Sequence, residues 1–231
     1  MKTIGLLGGM SWESTLSYYK LLNEGVRDTF GGFHSAKIVM QSVDFDEIQK
    51  LQSEDRWDEA GEILGTLAYS LEKGGADFIL ICTNTMHKVA DAISSKISIP
   101  LLHIADATAS ELVEQKCKKT LLLGTRFTMK EDFYKKVIIS YDIEVVTPNE
   151  DDMKEIDRVI FEELVLGKIS KASKEKYIEI INNLCLKDKK IDSVILGCTE
   201  IDLLVKKGDI NLKIFDTTAL HVKGALAKIF K

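Results

Sequence analysis

Apolar residues cluster along this chain in short unbroken runs separated by longer stretches of helical period. Phe78-Ile79-Leu80-Ile81 is the clearest run: four apolar residues with no alternation, as expected of a strand buried on both faces. Similar runs open the chain at Thr3–Leu7 and recur at Ala36–Met40, Leu101–His103, Leu121–Leu123, Glu144–Val146, Ser193–Leu196 and Lys213–Phe215. Between them the period changes to 3.6. Trp57, Ala60, Leu64, Leu67 and Leu71 make one stripe, and Met153, Ile156, Ile160 and Leu164 make another. A glycine pair, Gly74-Gly75, ends the first stripe, and Asn149 ahead of Glu150, Asp151 and Asp152 suits the start of the second. Further helices are expected from Ser14 toward Arg27, over Asp44–Gln52, after His87 to before Pro100, and over Ala105–Lys116, Ser173–Leu186 and Thr217–Phe230. Strands alternating with helices predict an α/β fold with parallel sheets.

The pattern occurs twice. Ile4-Gly5-Leu6-Leu7-Gly8 and Leu121-Leu122-Leu123-Gly124 are alike, and so are Cys82-Thr83 and Cys198-Thr199, each directly after a strand. Gly8 to Cys82 is 82 − 8 = 74 residues, and Gly124 to Cys198 is 198 − 124 = 74. The halves also close alike, at Leu101–Asp106 and Leu212–Thr217. The expectation is two pseudo-symmetric lobes, residues 1–116 and 117–231, each a mainly parallel sheet flanked by helices. The last helix of the first lobe is allowed to pack on the second. A site in the cleft between the lobes would bring Cys82 and Cys198 face to face. Open α/β sheets bind ligands at the carboxyl ends of their strands, and a helix start beside a thiol favours the thiolate.

Composition narrows the function classes. With 45% hydrophobic and 29% charged residues, the 231-residue chain has the make-up of a globular protein. A formal charge of −5 and no basic stripe argue against nucleic acid. No apolar run approaches about 18 residues, so no membrane span is expected, and the N-terminal run is too short for a signal-peptide core. Four cysteines without a secretion signal fit reduced thiols in the cytoplasm. Their spacings do not suggest a zinc site, and Cys117 and Cys185 read as packing residues. The Gly8–Trp12 turn matches neither nucleotide-binding glycine fingerprint.

Two like thiols at matched strand ends suit inversion of a stereocentre, in which one group removes a proton and another returns one to the opposite face. A single covalent nucleophile would not explain the second cysteine. Both Cys82 and Cys198 could instead be buried packing residues. Thr83, Asn84 and Thr85 offer donors for a carboxylate at a helix start, and Thr199 mirrors Thr83; helix capping is the competing role. Gln41 and Thr125 are placed near the site by strand-end logic. Glu200 either tunes the proton affinity of Cys198 or points its charge at its own helix start, the latter slightly preferred. His87 reads as a supporting group rather than a base, and Asp106 and Asp216 as N-caps.

The segments Gly8–Thr15, Ser42–Phe45, Cys82–His87, His103–Asp106, Leu123–Arg126 and Gly197–Glu200 resemble the aspartate/glutamate racemase superfamily, most of all its bacterial broad-specificity amino-acid racemases. The resemblance runs from Met1 to about Phe230. It implies a racemase of free amino acids that needs no pyridoxal phosphate and no metal. It further implies that Cys82 and Cys198 are the two acid/base groups, that substrate sits among Thr83–Thr85, Thr199 and the Met10-Ser11 loop, and that the protein is a homodimer. Aspartate-selective relatives tend to carry basic residues where this chain has Phe45 and Val165, so a neutral or mixed set of amino acids is expected. A dicarboxylate or hydantoin isomerase or decarboxylase, and a silent amino-acid-binding protein, are the alternatives.

Overall fold

Each apolar run singled out above forms a strand in the computed structural model, which describes residues 1–230. The chain divides into two compact units, Met1–Ile104 with His221 onward, and Ala105–Leu220. In the first, β1 (Ile4–Gly8), α1 (Trp12–Phe30), β2 (Ile38–Ser42), α2 (Phe45–Ser53), α3 (Trp57–Lys73), β3 (Phe78–Ile81), a 3-10 turn (Thr85–Val89), α4 (Ala90–Ser94) and β4 (Leu101–Leu102) follow in order. The strands make one parallel sheet in the order β2-β1-β3-β4. The central strands β1 and β3 are buried throughout, which is why they carry no polar alternation. Ile4, Leu6, Phe78 and Leu80 pack with Tyr18, Leu22 and Val26 of α1.

The second unit runs α5 (Ile104–Glu114), β5 (Lys119–Gly124), α6 (Arg126–Lys130), α7 (Asp132–Ile139), β6 (Glu144–Val146), α8 (Glu150–Glu162), a 3-10 turn (Leu164–Leu166), α9 (Lys171–Lys187), β7 (Ser193–Gly197), α10 (Ile201–Leu204) and β8 (Lys213–Asp216), and enters α11 (Thr217–Ile229). Its parallel sheet has the order β6-β5-β7-β8, the same topology as the first. The repetition reaches single hydrogen bonds. The Thr3 amide donates to Asp77 Oδ2 at 2.6 Å, and the Lys118 amide to Asp192 Oδ2 at 2.7 Å, each across 74 residues.

The units do not divide at 116/117, where the sequence pattern put the boundary. α5 belongs with the second unit, where the buried Thr108 hydroxyl accepts from Tyr134 at 3.1 Å. Most of α11 belongs with the first, because Val222, Ala225 and Ile229 join the core around β1 and β3. Apolar faces decide this, and chain order carries no record of it.

Local signals account for most helix starts. Ser11, Asp44, Thr125, Asn149 and Ser170 each accept a backbone N–H from the first turn of the helix they precede. Gly75, not Gly74, takes the left-handed conformation after α3, at φ +92°. Helices α6 and α7 were not expected. Their buried residues Met129, Tyr134 and Ile138 are split by an extended residue, Glu131, which interrupts the period that would have revealed them. Asp216 caps α11 as expected, accepting from the Thr218 and Ala219 amides at 2.8 and 3.2 Å. Asp106 does not cap α5: it lies inside the first turn, where Tyr141 donates to it at 3.3 Å. Among the described residues no helix is long and apolar enough to cross a membrane.

Candidate functional site

At the carboxyl end of β3, Cys82 extends the ladder by one bond, its amide donating to Leu7 O at 2.9 Å. Its carbonyl accepts the Ser14 hydroxyl at 2.6 Å, so the first turn of α1 holds the residue in place. The side chain is fully buried. Met10 and Ser11 lie buried in the loop after β1. Ser11 Oγ caps α1, and Thr15 Oγ1 accepts from the Gly9 amide at 2.8 Å while donating to Ser11 O at 2.9 Å. Gly9 is required here: at φ +91°, an added Cβ would stand 2.3 Å from Val43 O. Gln41, half-buried on β2, pairs in register with Leu7, which pairs with Ile81. Gln41 therefore sits at the same sheet end as Cys82, two strands away.

Thr83, Asn84 and Thr85 follow Cys82 into the 3-10 turn. Asn84 and Thr85 are buried and Thr83 is half-buried. Asn84 makes no side-chain capping bond to this turn, which removes the competing capping role proposed for it. His87 is buried below, with Nδ1 2.8 Å from Thr83 O and Nε2 accepting from the Ile104 amide at 3.2 Å. Gln52 Nε2 donates to the sulfur of Met86 at 2.8 Å, pinning the turn to α2. Ser14 and Gln52, whose partners lie 68 and 34 residues away, were missed in the sequence because a helical polar residue with a distant partner leaves no local pattern.

In the second unit, Gly124 and Gly197 pair in register at the ends of β5 and β7. A Cβ on Gly197 would stand 2.7 Å from Leu123 O, so the two strand ends approach closely just before Cys198. Thr125 caps α6 at the end of β5. Cys198 is 8% exposed and donates from Sγ to Glu200 Oε2 at 3.0 Å. Half-buried Thr199 donates its hydroxyl to the same oxygen at 2.6 Å. Glu200 is thus a partner of Cys198 and not, as preferred from sequence, a charge aimed at its helix start. Its buried carboxylate has the Cys198 and Thr199 side chains on one oxygen.

Burial opposes the thiolate bias expected from helix N-termini at both cysteines. A 3-10 turn that runs directly into α4 follows Cys82, and a four-residue helix follows Cys198. Burial pushes the Cys82 thiol well above its ordinary range. Burial also raises Cys198, and the Glu200 carboxylate beside it adds to the rise. Burial therefore favours the thiol form at both sulfurs, and only Cys198 has a carboxylate in contact. Of the remaining cysteines, Cys117 is buried and Cys185 packs against the core of the second unit.

Met10, Ser11, Gln41, Cys82, Thr83, Asn84 and Thr85 thus gather at one end of the first sheet, and Thr125, Cys198, Thr199 and Glu200 at the matching end of the second. The roughly 900 Å³ groove along β8, lined by Gln115, Asp192, Lys213 and Phe215 among others, contains none of them.

The profile of the Asp/Glu/Hydantoin racemase family matches residues 7–225, a span that includes all of these residues. The chain belongs to that family. By that membership it is an amino-acid racemase, an isomerase. A Yersinia pestis structure assigned as an Asp/Glu racemase is 46% identical over 100% of both chains, with a TM-score of 0.92. An aspartate racemase homologue from Pyrococcus horikoshii is 37% identical over 99% of both chains, with a TM-score of 0.85. The broad specificity amino-acid racemase RacX of Bacillus subtilis is 26% identical over 162 residues, 69% of this chain and 68% of RacX.

Proposed function

We propose that this racemase interconverts L- and D-amino acids by a two-base proton transfer at Cα, with Cys82 and Cys198 as the bases. The observation that carries the reading is the pair of Cys-Thr strand ends, at identical spacing in two sheets of identical order. One sulfur must be a thiolate when substrate binds and the other a thiol, since two thiolates serving one carbon would repel. Glu200 decides which. Passing the Cys198 proton to Glu200 moves a negative charge between two buried neighbours without adding one. Cys198 then removes the α-proton, Cys82 gives its own proton to the other face, and the negative charge ends on Cys82. Catalysis in the reverse sense starts from that state.

Backbone and side-chain donors at Thr83–Thr85 and Thr199, with the Met10-Ser11 loop, Gln41 and Thr125, hold the α-carboxylate and ammonium. Phe45 opens α2, and Val165 packs against the core of the second unit. Neither supplies a cation for a side-chain carboxylate, and burying one unpaired costs several kcal/mol. Neutral amino acids are therefore the expected substrates, with turnover of aspartate or glutamate no better. The proton transfers belong to thiols, so activity should survive EDTA and hydroxylamine and fall on thiol alkylation. A cytoplasmic homodimer completes the proposal.

The test is a panel of free amino acids followed by chiral chromatography. Neutral substrates should match or exceed aspartate. A kcat/KM for aspartate more than about tenfold above every neutral amino acid would overturn the specificity assignment.

A further inference from the structure

The two-base scheme leaves a buried titratable side chain without a task. His87 is 2% exposed and lies five residues after Cys82. Its two nitrogens meet groups whose roles cannot vary. The Thr83 carbonyl at 2.8 Å can only accept, and the Ile104 amide at 3.2 Å can only donate. The ring proton therefore sits on Nδ1 and the lone pair on Nε2, so the surroundings select one neutral tautomer. The groups around the ring come from three elements. His103, just after β4, has its ring 4.5 Å away, and His221 of α11 has its ring 5.8 Å away. The Tyr18 hydroxyl of α1 lies 2.8 Å from His221 Nδ1 and His221 Nε2 donates to Leu102 O at 3.0 Å, while burial holds His221 down to about 3, so His221 is neutral as well. Lys88, the adjacent cation, is turned onto the Trp57 ring, 3.9 Å from its centre. None of these groups offers the negative charge that would stabilise an imidazolium.

We propose that His87 is a positioning residue, a neutral strut that ties the Thr83 carbonyl to the backbone at Ile104 and so sets the turn carrying Cys82, Thr83, Asn84 and Thr85. The functional consequence rests on the racemase reading of those residues; the strut itself does not. Burial and the two neighbouring imidazoles hold the ring's proton affinity well below the ordinary range. Protonating it would set an N–H against the Ile104 N–H and release the turn.

Two variants separate this role from simple filling of space. His87→Asn keeps an N–H where Nδ1–H stands, and His87→Gln keeps an acceptor where Nε2 stands but nothing opposite Thr83. The Asn variant should retain kcat within about tenfold, while Gln should lose about 100-fold, the scale of a misplaced reacting group. Equal losses in two folded variants would overturn the proposal. Nitrogen NMR on the unmodified protein reads the tautomer without any reference to activity. A neutral Nδ1–H ring persisting below pH 5 supports the strut. An Nε2–H tautomer, or protonation near pH 6.5, overturns it even where neither variant folds. A protein with the Nδ1–H tautomer but no racemisation would instead contradict the proposed function alone.

Discussion

After β3, the sulfur of Cys82 is enclosed and the polar contacts nearby belong to backbone: Ser14 on the Cys82 carbonyl, His87 on the Thr83 carbonyl. After β7, the sulfur of Cys198 itself donates to a carboxylate, and Thr199 donates to the same oxygen. The strand order, the parallel pairing and the 74-residue spacing are common to both ends. The proton acceptor is not. A repeated backbone therefore sets where the two thiols stand, while side chains outside the repeat decide how each handles its proton. Burial favours the protonated form of both thiols, and at Cys198 the adjacent Glu200 carboxylate adds to the rise. At the Cys82 end the position that matches Glu200 is Asn84, which carries no carboxylate.

The largest expected effect comes from deleting either sulfur. Cys82→Ala and Cys198→Ala should each lower net racemisation by at least the ~10²–10⁴-fold typical of losing a positioned acid or base. In D₂O, early product from the intact enzyme should carry α-deuterium while recovered substrate stays largely unlabelled. Each single variant could still exchange the α-proton of one enantiomer, and the two variants should favour opposite enantiomers. Near-normal racemisation by Cys198→Ala would break the comparison outright, because one base would then serve both faces.

A smaller effect should follow from Glu200→Gln, which keeps the volume and removes the base. Racemisation should drop about 10–100-fold, and the remaining rate should climb with pH as solvent takes over deprotonation of Cys198. The exchange attributed to Cys82 should be spared. Equal damage to exchange of both enantiomers would show that Glu200 acts on the pair and not on Cys198.

The smallest effect is on stability, and it sharpens the contrast between units. Folding depresses the proton affinity of His87 and His221, the latter to about 3, from an ordinary value of 6.5. An unfolded chain binds protons at these rings that the folded one refuses. Their stabilising contribution is thus complete above about pH 6.5 and is lost as pH falls below it, for His221 down toward about 3. The slope is about 1.4 kcal/mol per pH unit for each ring. Urea unfolding at pH 7 and pH 5 should show the loss, with His221→Gln removing about one proton's worth of it. Amide exchange should be more acid-sensitive in β1, β3 and β4 than in β5, β7 and β8. A pH-independent midpoint would mean that the rings are protonated in the fold.

Much of this was legible in one chain. The strand β3 was read to the residue, Asn149 and Asp44 were read as or near helix starts, and the doubled Cys-Thr ends pointed to the repeated sheets. Such features rest on residues within a few positions of one another, so apolar runs and caps announce them. Helices α6 and α7 escaped because Glu131 breaks their period, and the helix expected between His87 and Pro100 is limited to α4, with a 3-10 turn leading into it. The misreading of Glu200 was of a different kind. Its place two residues after Cys198 was plain, but whether its carboxylate turned to the sulfur or to the helix start depended on a side-chain torsion that packing sets.

The sequence by itself determined the alternation of strands and helices, the position of each cysteine at a strand end, and the doubling of that arrangement. These follow from burial period and capping, which act locally. The tertiary structure alone decided that α11 completes the first core, that His221 stands beside His87 across 134 positions (221 − 87), and that burial raises the proton affinity of both thiols. Burial and proton affinity are properties of everything packed around a group, and that surrounding exists only once distant segments have come together.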